Sequence, residues 1–268
     1  MQSPLLNIIP VNLFEAFCLQ IDDKSKLAFD KLEDSELSID SYRFYTSVSA
    51  VYSSKIEGED IELDSYIKHK RFGSHIQPDY TRKIDDLYDA YLFAQKSTLN
   101  QPNIEKAHAL ITKNILLTTQ QGKLRTGNMF VVTKVGKIEY VAVTPDKLKS
   151  EIQKLYYDIA ALLSMNLEFS QCLFFASMIH LIFVKIHPFE DGNGRTGRLL
   201  EKWFLAQKLG FKAWFIESEK MYYHQQLEYF GTIRELGLEH DELDYSKALP
   251  FLLMLPKAFV QITINRID

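Results

Sequence analysis

The sequence predicts an all-α fold interrupted by a single β-hairpin, and three observations lead there. Apolar residues recur at spacings of three and four through most of the chain, the period of a helix with one buried face. β-Branched residues gather on both sides of a short turn at one place only, the stretch NMFVVTKVGKIEYVAVTPDK. Hydrophobic residues fill 46% of the 268 positions, enough for a sizeable core, and no repeat or low-complexity tract appears.

Taken in order, helical patterning runs from about Glu15 to Thr98, with polar breaks expected at DDKSK, FGSHIQPD and NQPN. The clearest helix in this part begins near Asp40, whose carboxylate can cap it. It continues through SYRFYTSVSAVYSSKIE and stops at Gly58, so Glu57 is its expected last residue. Another helix is expected from Ile104 to Leu117, with Ala107, Leu110, Ile111 and Ile115 on one stripe. The hairpin follows at about 129–144, turning at Lys134 to Lys137. Helical periodicity returns from Pro145 to Ser164 and in the apolar run from Cys172 to Ile186. Ser177, His180 and Lys185 interrupt that run, which falls short of the ~18 residues of a membrane span and reads as a buried helix. Leu199, Leu200, Trp203, Phe204 and Leu209 then form a stripe opposite Glu201, Lys202 and Lys208, with Gly210 as the stop. From about Trp214 to Asp268 the pattern is again mainly helical, more weakly after Pro250.

Composition narrows the function. A formal net charge of −4 leaves no basic footprint for nucleic acid. Cys18 and Cys172 stand far apart without a CxxC, which suggests neither a disulfide framework nor a zinc site. The apolar start PLLNIIPVNLFEAF lacks a positive flank and reads as mature sequence rather than a secretory signal. A reducing, cytoplasmic setting with no membrane and no nucleic-acid partner is expected.

The chemistry concentrates in KIHPFEDGNGRTGRLLEKW, a loop between two helices. Gly192, Gly194 and Gly197 match GxGxxG, but the run before them is too long for a strand and further parallel strands are missing, which argues against dinucleotide binding. No Lys followed by Ser or Thr comes after the glycines, so a P-loop is excluded. Successive glycines let backbone amides converge on an anion at the positive end of a helix. Arg195 and Arg198 at that end are disfavoured by the helix dipole unless a polyanion lies between. Asp191 suits a Mg²⁺ shared with phosphate, and His187 suits a base neutral at physiological pH. The plainer alternative is a glycine-rich connection with a capping Asp and surface arginines. Pro188 and Phe189 read as structural, one fixing the exit from the helix and the other anchoring the loop.

HPFEDGNGRTGR resembles the motif of the Fic family, HxFx(D/E)GNGRxxR, at every defined position. GKLRTGNMFVV and the hairpin look like that family's target-docking flap. The resemblance spans roughly 101–213, which makes that stretch the expected catalytic core, with its loop at 187–198, between an N-terminal helical region (1–100) and a C-terminal one (214–268). It implies a Fic-type helical bundle that transfers AMP from ATP to a Ser, Thr or Tyr hydroxyl of a target protein. On that resemblance His187 would deprotonate the hydroxyl and Asp191 would hold Mg²⁺. Gly192, Asn193 and Gly194 would form an anion hole, and Arg195 and Arg198 would bind the outer phosphates. Members that transfer phosphate instead depart from GNGR, which this chain keeps.

Upstream, SSKIEG places Ser53, Glu57 and Gly58 in the pattern (S/T)xxxE(G/N), similar to the inhibitory helix of regulated Fic proteins. That helix is expected at about 40–58. A carboxylate at a helix C-terminus is locally unfavourable without a cation from elsewhere, and Arg198 is the expected partner, with Ser53 orienting the carboxylate. The pair would block the arginine meant for the γ-phosphate. Glu57 could instead position water to remove AMP from a modified protein, and a non-catalytic ATP-sensing module is the reading outside enzymes.

His180, two turns before His187, is expected to be a satisfied core histidine, and His69, His75, His108, His224 and His240 show no ligand spacing and carry no assigned role. Arg125 could touch the loop or a target, or form a surface salt bridge. Val131, Val132 and Thr133 could offer a strand edge to a target segment. Homo-oligomerisation is left open.

Overall fold

The computed structural model describes residues 6–40, 43–73, 78–132, 136 and 138–264. It is a helical bundle with one small hairpin, as expected. The helices are α1 (Phe14–Cys18), α2 (Asp23–Asp30), α3 (Phe44–Ile56), α4 (Leu63–Phe72), α5 (Pro78–Gln95) and α6 (Gln101–Ile111). The strands β1 (Phe130–Val132) and β2 (Ile138–Val141) follow. Then come α7 (Pro145–Ser164), α8 (Phe169–Ile186), α9 (Asn193–Leu209), α10 (Ser218–His224), α11 (Gln226–Arg234), α12 (Leu249–Leu252) and α13 (Met254–Ile264).

α8 and α9 form the centre. α8 opens with a reciprocal capping box between Glu168 and Gln171, and its residues from Cys172 to Phe183 are all buried. At 18 residues and a mean hydropathy of 1.7 it is long and apolar enough to cross a membrane, yet 83% of it is buried by the rest of the protein. The neighbouring helices supply the apolar surroundings, and one continuous core runs from Ile9 and Phe17 to Phe259.

α3 lies against α9 by a polar seam rather than an oily one. Ser49, Ser53 and Glu57 recur every four residues and share one face, opposite Arg198 and Lys202 at the same interval. Lys202 donates to Ser49 Oγ (2.6 Å) and to the buried Glu219 carboxylate, while Arg198 takes Ser53 and Glu57. Lys202 and Glu219 are both fully buried, so each charge depends on the other.

Several expected boundaries moved. α3 starts at Phe44, not near Asp40, because tertiary bonds claim its entry. The Arg43 amide donates to Tyr88 Oη (3.1 Å) and the Phe44 amide to Ser38 Oγ (3.1 Å), which leaves Asp40 in a turn. α3 also stops at Ile56, one residue early. Glu57 is its C-cap, and Gly58 at φ +96° makes the reversal that other residues resist. DDKSK, expected as a break, forms the start of α2. α6 begins at Gln101, capped by Asn100, and ends at Ile111 rather than Leu117. There the Asp86 carboxylate takes both the amide (2.9 Å) and the side chain (2.7 Å) of Asn114, drawing the chain away from the helix axis.

The strands pair antiparallel, with Phe130 opposite Val141, Val131 opposite Tyr140, and a bulge between Val131 and Val132. The outer edge of β2 is covered by the Val141 amide donating to Leu238 O (2.8 Å). The expected turn at Lys134 to Lys137 lies largely outside the described residues, as do Thr133 and His75.

Candidate functional site

The loop after α8 is set by an unusual backbone. His187 caps α8 in the left-handed region (φ 54°, ψ 61°), the one non-glycine residue at positive φ among those described. For a residue with a Cβ this costs about 1–3 kcal/mol and needs support from outside. Arg125 supplies it: its Nε donates to His187 O (2.8 Å) and its own amide to Pro188 O (3.0 Å). Its remaining nitrogens reach Gly127 O (2.7 Å) and Val143 O, at the foot of the hairpin. Arg125 is 3% exposed and gives its guanidinium to carbonyls alone, so it is a buried loop clamp rather than a surface salt bridge.

The His187 ring is thereby aimed. Its Nδ1 lies 3.2 Å from Val184 O, a carbonyl that can only accept, so Nδ1 carries the proton and Nε2 offers its lone pair. Burial, with a smaller contribution from Arg125, pushes its pKa down to about 4.

The underside of the loop is closed by side chains. Asn193 accepts from the Phe189 amide (2.9 Å) and donates to Phe189 O (2.8 Å). Both ends of its amide are committed there, so its main-chain N–H is what it can offer to an anion. Phe189 stacks on the buried His108 ring at 3.7 Å between centroids. His108 Nε2 lies 2.9 Å from Asp191 O, and its Nδ1 accepts the Gly122 amide (2.9 Å). The Asp191 carboxylate stays exposed, accepting from the Gly192 amide. Gly192 is at φ +77°, and a Cβ there would come within 2.7 Å of Thr112.

α9 then starts, and its first-turn amides at Asn193, Gly194 and Arg195 have no acceptor within the helix. The carboxylate of Glu57, the C-cap of α3, packs against this turn at Gly194. A Cβ on Gly194 would lie 2.6 Å from Glu57 Oε1, and the same oxygen accepts from Arg198 Nη2 at 2.6 Å. Arg198 also donates through Nε to Ser53 Oγ (2.8 Å), through Nη2 to Ser53 O (3.0 Å) and through Nη1 to Tyr229 Oη (3.3 Å). Ser53 thus holds the arginine rather than orienting Glu57, as the sequence had suggested. Burial works against the Glu57 charge, but Arg198 and Arg195 outweigh it and hold the carboxyl below its ordinary range. Arg195 is 5% exposed, its Nε has no partner, and Glu59 approaches it only to 3.8 Å, being bound to Lys83 at 2.6 Å.

Beside this point a cavity of about 170 Å³ opens between the hairpin and α11. Glu57, His187, Gly194 and Arg198 line its inner end, and Val131, Tyr140 and Phe230 line its outer walls. Val131 and Val132 sit on β1, whose outer edge faces away from β2. His180 is a satisfied core histidine as expected, between Glu201 (2.8 Å) and Tyr229 Oη (3.0 Å). Through Tyr229 it backs Arg198. The sequence did not point to His108, Tyr229 or Glu59. For His108 one signal was available: it falls on the buried stripe of α6 beside Ile104, Ala107 and Ile111, where an imidazole needs partners.

Residues 98–205 match the Fic/DOC family model. The chain is similar in structure to a Fic family protein from Desulfovibrio desulfuricans G20, with a TM-score of 0.72 at 18% identity over 99% of this chain and 78% of that one. A Fic domain containing signaling protein from Bacteroides thetaiotaomicron VPI-5482 gives 0.65 at 15% identity, over 92% of this chain and 90% of that one. Fic-1 from C. elegans gives 0.65 at 17%, over 94% and 71%. These likenesses speak for the fold, and the family match covers the stretch that contains the loop. Residues 98–205 are therefore a Fic domain, a domain of the family that commonly transfers AMP or other nucleotide groups to proteins.

Proposed function

We infer that this chain is a Mg²⁺- and ATP-dependent protein adenylyltransferase restrained by its own α3. The reading rests above all on the Glu57 carboxylate, which lies against Gly194 in the first turn of α9 and pairs with Arg198. A carboxylate is accepted there because the position suits an anion, and the unpartnered Nε of the buried Arg195 supports the same conclusion.

ATP would place its phosphates on the amides of Asn193 and Gly194, beside Gly192, with Arg195 and Arg198 on the outer ones. His187 Nε2 would take the proton of a target Ser, Thr or Tyr hydroxyl as its oxygen bonds to the α-phosphorus. The bond from that phosphorus to the bridging oxygen breaks, and pyrophosphate leaves with the electron pair, its charge balanced by the two arginines. Asp191 fits a Mg²⁺ held mostly by phosphates and water, since it is a single exposed carboxylate and no cluster of three ligating side chains occurs among the described residues. The bound ion would neutralise phosphate charge. The free edge of β1 at Val131 and Val132 would pair with an extended target segment.

Intact-protein mass spectrometry after incubation with Mg²⁺ and ATP tests this, because self-modification can stand in for an unidentified target. Glu57→Gly should gain the mass of AMP, wild type little, and Glu57→Gly with His187→Ala none. A gain that survives His187→Ala would remove His187 as the base.

One observation favours a second activity at the same site. An ionised Glu57 lines the same cavity as His187, where it could orient a water toward an AMP already attached to a protein. Wild type would then release AMP from a modified protein and Glu57→Gly would not.

A further inference from the structure

We propose that His108, outside the motif, is a positioning residue that fixes the Asp191 end of the loop and thereby sets the affinity for the divalent cation. The inference rests on the reading of Asp191 as the carboxylate that holds that cation.

The side chain of Asp191 has little of its own to hold it. It is exposed, and the bond it accepts comes from the next amide in the chain, that of Gly192 (2.5 Å). Where the carboxylate sits therefore depends on where the main chain of Asp191 is pinned, and the pin comes from α6. The Gly122 amide can only donate, so His108 Nδ1 accepts it (2.9 Å) and the ring proton must be on Nε2. That N–H points at Asp191 O (2.9 Å), a contact between residues 83 positions apart. His108 is fully buried, both of its nitrogens are used, and Phe189 packs flat against its ring. An apolar ring could fill this space equally well. What the imidazole adds is a donor aimed at Asp191 and an acceptor that fixes which nitrogen donates. Partners one step removed from a metal ligand typically change metal affinity by ~10–100-fold when lost.

The two halves of the imidazole can be removed separately. His108→Asn leaves an acceptor near the Gly122 amide and withdraws the donor from Asp191. His108→Gln carries an amide N–H to the position of Nε2 and serves as the conservative rescue. Both are placed in the Glu57→Gly protein, and ATP binding is followed by calorimetry with EDTA and across a Mg²⁺ titration. His108→Asn should raise the half-saturating Mg²⁺ by about tenfold while metal-free ATP binding changes less than about twofold, and His108→Gln should recover to within about threefold of the parent.

If His108→Asn responds to Mg²⁺ as the parent does, the inference is overturned. It is overturned equally if ATP binding weakens to the same extent with and without Mg²⁺, which is what a loosened fold alone would give. A Glu57→Gly parent whose ATP binding ignores Mg²⁺ would instead overturn the reading of Asp191, a failure visible before any His108 variant is compared.

Discussion

Replacing Glu57 tests the restraint most directly, and its size follows from the geometry. The charges of Glu57 and Arg198 are in direct contact at 2.6 Å between oxygen and nitrogen. Taking their centres as ~4 Å apart in surroundings of effective dielectric ~20 gives a gross attraction of about 4 kcal/mol. Arg198 is closed off, but the Glu57 side chain is 32% exposed, so solvent screening and lost hydration reduce this to about 2–3 kcal/mol. Removing the pair should raise productive ATP binding by about 30–100-fold, since 1.4 kcal/mol is a factor of ten. The assay is initial-rate AMP incorporation against ATP concentration for wild type, Glu57→Gln and Glu57→Gly. Glu57→Gln keeps the bulk over Gly194 and removes the charge. It should recover part of the gain, and Glu57→Gly all of it. Equal rates in wild type and Glu57→Gly, with ATP binding measurable in both, would refute the restraint. A full gain in Glu57→Gly with none in Glu57→Gln would assign it to bulk instead of charge.

Two further outcomes follow from the same structure. Because burial lowers the His187 pKa to about 4, the neutral form persists well below the usual 6.5, and transfer by Glu57→Gly should stay level from about pH 8 to pH 5.5. Stability responds over a different range: the unfolded chain takes up this proton first, so His187 favours the folded state above 6.5 and that contribution declines as pH falls from 6.5 toward 4. An acid limb at 6.5 in the rate profile would contradict the buried setting. Far from the site, the buried Asp158 carboxylate accepts the amides of Asn7 (2.7 Å), Ile8 (2.9 Å) and Ile9 (3.0 Å). Asp158→Ala should cost about 3 kcal/mol in urea unfolding with ATP binding unchanged, and a loss below about 1 kcal/mol would show that these amides find other partners.

The features legible in sequence are those fixed by near neighbours. The span of α7 and the end of α8 matched the expected positions because apolar period, Pro145 and the loop glycines act within a few residues. His180 was legible as a core residue because two helical turns separate it from His187. The start of α3 was misjudged because Tyr88 and Ser38 decide it, and the end of α6 because Asp86 does. Arg125 remained ambiguous for the same reason: its acceptors include His187 O, 62 positions away.

The sequence by itself determined the all-α class, the hairpin and the presence of a glycine-rich loop leading into a helix, because glycine spacing and helix period are local properties. It also proposed Glu57 as a partner for Arg198, from the resemblance of SSKIEG to an inhibitory-helix pattern together with the cost of a lone carboxylate at a helix end. Tertiary structure alone decided that Glu57 lies against Gly194, that Ser53 grips the arginine instead of the acid, and that His108 and Arg125 pin the two ends of the loop. Those contacts join residues 62 to 145 positions apart. The bundle makes them by burying polar atoms that must then find partners, and which partners lie within reach is settled only when the helices pack.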